Sequence, residues 1–193
     1  MSFNITDFKT RLRGGGARPS LFEVTLGFPD DVEGSSEIFR FMCKASSIPA
    51  STVAPIEVPY FGRKVKFAGN RTFPEWTVTI INDENFKVRR GFERWMSRIN
   101  SHETNVRTLT ERINLSGYQA TGTVRQFGKT GGQAVLAEYT FANVFPSEIS
   151  PIELNWSSEN EIEEFTVTLQ YDYWKGGGES DGIIGGGGGL IPV

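Results

Sequence analysis

The sequence predicts a mainly β, sandwich-like domain with one flanking α-helix, and three patterns predict it. Apolar and polar residues alternate in several short runs, the period of strands with one buried face. A single run follows helical spacing instead, and Gly, Pro and Asn punctuate the intervals. Composition supplies the core, since 38% of the 193 residues are hydrophobic and 15 are Phe, enough for one packed domain at this length.

The alternation is clearest where Trp76, Val78 and Ile80 are interleaved with Thr77 and Thr79. It is longest where Phe165, Val167, Leu169, Tyr171 and Tyr173 are interleaved with Thr166, Thr168, Gln170 and Asp172, which predicts a long central strand. Phe39, Phe41 and Cys43 share a face if 37–44 is also a strand, with Arg40 and Lys44 opposite. Dense β-branched and aromatic residues predict further strands at 21–28, 56–60, 63–67, 118–127, 134–145 and 152–156. Between 83 and 100, Val88, Phe92, Trp95, Met96 and Ile99 recur at helical spacing. Asn82 or Asp83 supplies its cap, and Asp83 and Glu84 suit the positive end of its dipole.

Three units follow. Residues 1–16 form a flexible N-terminal segment joined through Gly14–Gly16, residues 17–174 form the domain, and residues 175–193 form a Gly-rich tail. In that tail Ile183, Ile184, Leu190, Ile191 and Val193 stand as apolar beads on glycine, either docked on a neighbour or untethered. Within the domain, Pro49, Pro55 and Pro59 exclude a central strand across 45–73. Tyr60, Phe61, Val65 and Phe67 are nevertheless too apolar for a loop in water, so the segment reads as an arm or hairpin that needs a surface to lie on.

Charge narrows the functional classes. Lys and Arg total 20 against 23 Asp and Glu, a net charge of -3, which is not the footprint of a dedicated nucleic-acid binder. The charge is also polarised: residues 1–100 hold 15 basic and 11 acidic side chains, residues 101–193 hold 5 and 12. Arg63, Lys64, Lys66 and Arg71 interleave with Phe61 and Phe67, and Glu159, Glu161, Glu163 and Glu164 cluster ahead of the longest alternating run. A salt-bridging contact between copies accounts for both clusters more simply than phosphate binding or a glycosidase carboxylate pair.

Catalytic chemistry lacks its usual parts. Cys43 and His102 are single, so a disulfide framework, a Cys/His metal site and a histidine-based triad have no partners to draw on, and no cofactor is expected. No phosphate-binding glycine loop occurs. The first residues lack an apolar stretch and no run approaches a bilayer span, so a reducing cytoplasm and no stable membrane association are expected.

Five separated motifs then carry a family resemblance: ARPSLFEV at 17–24, FMCKASSIPA at 41–50, GNRTFPEWTVTIINDE at 69–84, VRQF at 124–127 and WSSENEIEEFTVTLQYDYW at 156–174. In order and spacing the chain resembles the tail tube proteins of contractile-tailed bacteriophages. The tail after Trp174 and the acidic turn around Pro29 depart from that pattern. The resemblance implies a subunit whose sheet joins a continuous β-barrel in a homo-hexameric ring, with rings stacked into a tube inside a sheath. It implies a virion component assembled in the host cytoplasm. Its partners would be the tail sheath protein, a tape measure protein in the lumen, baseplate and tail terminator proteins, and genomic DNA in transit without specific binding. Related tubes occur in phage-tail-like bacteriocins and secretion devices.

Candidate contact residues between subunits or rings are therefore Pro49, Pro55, Pro59, Tyr60, Phe61, Arg63, Lys64 and Arg71, facing Glu159, Glu161 and Glu163. Lumen candidates are Glu138, Thr140, Thr166 and Thr168, because a basic wall would trap phosphates. The reading from another class is a carbohydrate- or protein-binding β-module, with Trp76, Trp95, Trp156 and Trp174 as stacking platforms or, failing that, as core.

Overall fold

A computed structural model describes residues 4–29, 35–106, 117–129 and 134–177. The apolar beads between Ile183 and Val193 and most of the acidic turn after Pro29 lie outside these residues. Three α-helices and nine strands are described: α1 (Ile5–Arg11), β1 (Phe22–Leu26), α2 (Ser35–Met42), β2 (Cys43–Ala45), β3 (Thr52–Tyr60), β4 (Arg63–Thr72), β5 (Trp76–Ile81), α3 (Lys87–Ile99), β6 (Ala120–Phe127), β7 (Val135–Ile149), β8 (Glu164–Gln170) and β9 (Tyr173–Gly177).

One antiparallel sheet in the order β1-β6-β7-β8-β5-β2 forms the body, with β9 paired to β7. β7 is the hub. Its first half lies between β6 and β9, and its second half pairs β8. At the changeover Asn143 takes a left-handed φ of 59°, and its side-chain amide donates to the Asp172 carboxylate. This bulge divides the single strand expected over 165–173 into β8 and β9, and β9 continues past Trp174 to Gly177.

The alternation dictates which face is buried. Trp76, Val78 and Ile80 on β5 and Phe165, Val167 and Leu169 on β8 are buried, as are Val24, Leu26, Val124 and Phe141 across β1, β6 and β7. On that face Trp76 stacks on Phe141 with centroids 4.1 Å apart. The helix α3 covers it with Val88, Phe92 and Trp95, all buried. The helix begins at Lys87 rather than at 83; Phe86, at φ 53°, turns the chain so that the Asp83 carboxylate still accepts the Lys87 N–H at 3.1 Å. Asn82, the other expected cap, instead donates to Glu163 at 2.9 Å.

Two expected strands are absent. Residues 35–42 form α2, not part of a strand, because Phe39 is buried with Ile38 and Met42 packed on the core, at helical spacing, while Phe41 is 71% exposed. The segment satisfies either period, and the aromatic group of Phe28, Phe39 and Phe92 decides: Phe39 lies 6.2 Å from Phe28 and 6.0 Å from Phe92, edge to face. The helix also sits beside β1 and so fills the gap between the two ends of the sheet, giving a nearly closed barrel-like body. Residues 152–156 are a loop. Pro151 has no N–H for a ladder, and Asn155 folds a turn by accepting the Ser157 N–H at 3.0 Å.

Gly122 is the point of closest packing on the sheet. A Cβ there would lie 2.6 Å from Cζ3 of Trp76, an indole that cannot withdraw because Phe141 lies behind it. Gly122→Ala is expected to cost about 1–3 kcal/mol through overpacking, read as a lower urea midpoint with an unchanged slope. An unchanged midpoint would mean that the Trp76–Phe141 stack yields.

Candidate functional surfaces

Among the described residues, the face of the sheet opposite the core carries no helix. Thr25, Thr123 and Thr140 lie in register across β1, β6 and β7. Thr77 and Thr79 lie opposite Thr168 and Thr166 across β5 and β8. The lumen candidates Glu138, Thr140, Thr166 and Thr168 therefore fall on one polar face, and Thr25, Thr77, Thr79 and Thr123 extend it. Those four were legible in the same alternation but were not singled out. Threonine suits the position, since it is β-branched, favours strands and carries no charge.

Charge on this face is paired across β1, β6 and β7, whereas Lys175 of β9, opposite Thr140 in the register, is exposed, has no ion pair among the described residues and lies over the Tyr173 ring at 5.6 Å. Arg125 donates to Glu138 at 3.1 and 3.3 Å. Glu23 binds Arg40 of α2 and lies 3.9 Å from Arg125. The hydrogen bonds that Arg125 donates to Glu138, more than any other influence, raise its pKa and hold the guanidinium protonated. Glu138 is thus a neutralised residue, not a free acidic group. Lys44 at the sheet end is likewise paired, with Glu164.

The second surface is the β3–β4 hairpin. Tyr60–Phe61–Gly62–Arg63 closes it through two left-handed residues, Phe61 at φ 45° and Gly62 at φ 82°. Both central residues at positive φ give the tight turn that matches strand twist. Register places Ile56, Val58 and Tyr60 on one face with Phe67, Val65 and Arg63, and Pro55, Glu57 and Pro59 on the other with Ala68, Lys66 and Lys64. The first face is exposed along its length, and Phe61 at the tip is 92% exposed. β3 and β4 make their principal contacts with each other, while Trp174 ties the approach to β3 by donating to the Ala50 carbonyl at 3.1 Å.

Within the subunit Lys64 and Lys66 both reach Glu57, at 2.7 and 3.8 Å. Arg63 and Arg71 have no ion pair among the described residues. The structure does not bring the basic residues of the hairpin to the acidic cluster inside one chain. Nor are the three glutamates equivalent: Glu159 and Glu161 are exposed, whereas Glu163 is half-buried and accepts from Asn82. Residues 151–164 line a cleft of about 500 Å³ in which Leu154, Trp156 and Ile162 are exposed. This cleft was hidden from the sequence because 152–156 reads as a strand.

Chemistry is sparse. Burial pushes the Cys43 thiol up to about 12, against a smaller opposing pull from its hydrogen bond to Ala45. No group of three metal-ligating side chains occurs among the described residues. Among those residues no helix is long and apolar enough to cross a membrane. Trp76 and Trp95 are 1% and 2% exposed, with their N–H groups donated to Ser46 and to the Tyr118 carbonyl, so neither offers a stacking platform. Trp156 is fully exposed.

Known proteins give this combination a family. The chain is 36% identical to the tail tube protein gp19 of Enterobacteria phage T4 over 162 residues, covering 84% of this chain and 93% of that protein. It is 27% identical to the tail tube protein of Serratia phage KSP90, covering 82% and 88%. Among solved structures, a chain of the anti-feeding prophage baseplate shares the fold at a TM-score of 0.61 and 12% identity, covering 84% of this chain and 95% of that one. A chain of an extracellular contractile injection system's sheath-tube complex in the extended state does so at 0.56 and 15%, covering 92% and 99%. Residues 17–176 match the family described as phage tail tube protein, and the chain, with its one-sided sheet and projecting arm, belongs to that family.

Proposed function

We propose that this chain is the structural subunit of a bacteriophage tail tube, acting through assembly rather than catalysis. The observation that carries the mechanism is the one-sided sheet. Helices close one face, and a polar, threonine-rich face is left open across β1, β6, β7, β8 and β5. When six such sheets join edge to edge, the uncovered face becomes the wall of a lumen and the helices lie outside. Closure also removes the unpaired edges at β1 and β2. A tape measure protein and then genomic DNA pass along that wall, which holds phosphates weakly because threonines dominate it and Arg125 is already paired with Glu138, leaving Lys175 as its unpaired cation among the described residues. Sheath, baseplate and terminator proteins contact the outside and the ends, and assembly takes place in the host cytoplasm before the particle is released.

In this reading residues 17–174 form the ring body, and the arm around Pro49, Pro55 and Pro59 links subunits or stacked rings. A bacteriocin-like tube is the alternative, supported by the shared fold with injection-system tubes. Negative-stain microscopy of the purified chain tests the proposal at its root. Rings or tubes are expected; dispersed monomers would remove it.

Deleting 54–66 should leave a soluble, folded body that no longer forms tubes, because the arm packs on itself and not on the core; normal tubes from that protein would sink its assigned role. The lumen of an assembled tube should show Thr123, Thr140, Thr166 and Thr168, with Lys175 beside Thr140 and no ring of Arg or Lys dominating the wall. A wall dominated by such a ring in a cryo-EM map would contradict the assignment.

Salt gives a third test. Exposed ion pairs contribute about 0.2–1 kcal/mol each, and the Debye length falls from about 10 Å at 0.1 M to about 3 Å at 1 M salt. Repeated at every subunit contact, pairs between the basic arm and the acidic cluster should make tubes shorten over that range by sedimentation, with circular dichroism unchanged. Tubes indifferent to salt, or lengthened by it, would assign the cohesion to apolar burial instead.

A further inference from the structure

We infer that the tip of the β3–β4 hairpin of one copy seats in the cleft of residues 151–164 of a second copy, with Phe61 and Arg63 against Trp156. The inference rests on the tube reading and gives its subunit contact a specific socket. Tip and cleft are complementary in three independent respects.

The first is shape. Tyr60 and Phe61 form an edge-to-face pair with centroids 4.7 Å apart, a rigid knob at the end of a nine-residue strand that spans about 30 Å. The cleft of about 500 Å³ is large enough for both rings. The second is polarity. Leu154, Trp156 and Ile162 are exposed and line the same cleft, and the knob is the most exposed aromatic group on the arm. Each apolar surface lacks cover within its own subunit, and each matches what the other lacks.

The third is charge. Segment 52–72 carries Arg63, Lys64, Lys66 and Arg71 against Glu57 alone, whereas 150–164 carries Glu153, Glu159, Glu161, Glu163 and Glu164 and no basic residue. Register puts Arg63 on the apolar face opposite Tyr60, so the side chain that enters with the rings is a guanidinium. That group stacks on an exposed indole and pairs with carboxylates at its rim, as Trp156 and Glu161 provide. Knob and socket are different patches of one molecule, so the contact is head-to-tail and propagates into a closed ring or a growing stack.

Four purified full-length proteins test this: wild type, Arg63→Glu/Lys64→Glu, Glu159→Arg/Glu161→Arg, and the combination of all four changes. Every altered side chain is exposed, and circular dichroism checks the fold of each. Both double variants should raise the concentration needed for tubes at least tenfold, and the combined variant should return it to within about threefold of wild type. Phe61→Ala and Trp156→Ala should each block assembly at the wild-type threshold. A cryo-EM map of wild-type tubes should place Phe61 within 4.5 Å of another copy's Trp156, the distance of apolar contact. Tubes that form normally from Trp156→Ala, or a map with Phe61 seated elsewhere, overturn the socket while leaving the tube reading intact. A folded wild-type chain that stays monomeric overturns both.

Discussion

The aromatic layer between the sheet and its helices gathers Phe28, Phe39, Phe92 and Trp95 with the Trp76–Phe141 stack into one buried cluster on one side of the sheet. A fully enclosed sandwich would need a second such layer, and on that face β5 and β8 present Thr77, Thr79, Thr166 and Thr168 with Ile81, Glu164 and Gln170, a mostly polar set. The sheet therefore stays one-sided, and an open polar face is a consequence of how the core is allocated. Position of the helices follows as well. They can lie only on the aromatic side, so any ring built by joining sheets has its inner and outer surfaces decided before assembly starts.

The arm obeys the opposite economy. A two-stranded hairpin is marginal on its own in water, and this one exposes Ile56, Val58, Val65 and Phe67 along one face without support from the body. Its own ladder and the Glu57 ion pairs hold its outline. Its apolar face gains little until a second surface covers it. The buried core contains no residue of the arm, and in the proposed tube the arm completes its burial with a neighbour, which separates subunit stability from polymer stability within one chain.

Much of this was legible in the sequence where a single period operates. The Trp76–Ile81 strand, the polar face at Thr166 and Thr168, and the buried stripe of α3 each follow from alternation or from helical spacing alone. Residues 37–44 were not legible, since Phe39 with Met42 and Phe39 with Phe41 support different periods, and contacts with Phe28 and Phe92, distant in the chain, select the helix. The fate of individual carboxylates was equally hidden. Glu163 is held by Asn82 and Glu138 by Arg125, partners that only the sheet register supplies, whereas Glu159 and Glu161 remain on the outside.

Cys43 bears on the life of the polymer. At neutral pH a thiol with a pKa of about 12 is ionised in roughly one molecule per hundred thousand. Disulfide exchange proceeds through the thiolate. In a tube built as proposed above, where every copy carries one such sulfhydryl, burial makes Cys43 a slow partner for disulfide exchange between neighbouring copies.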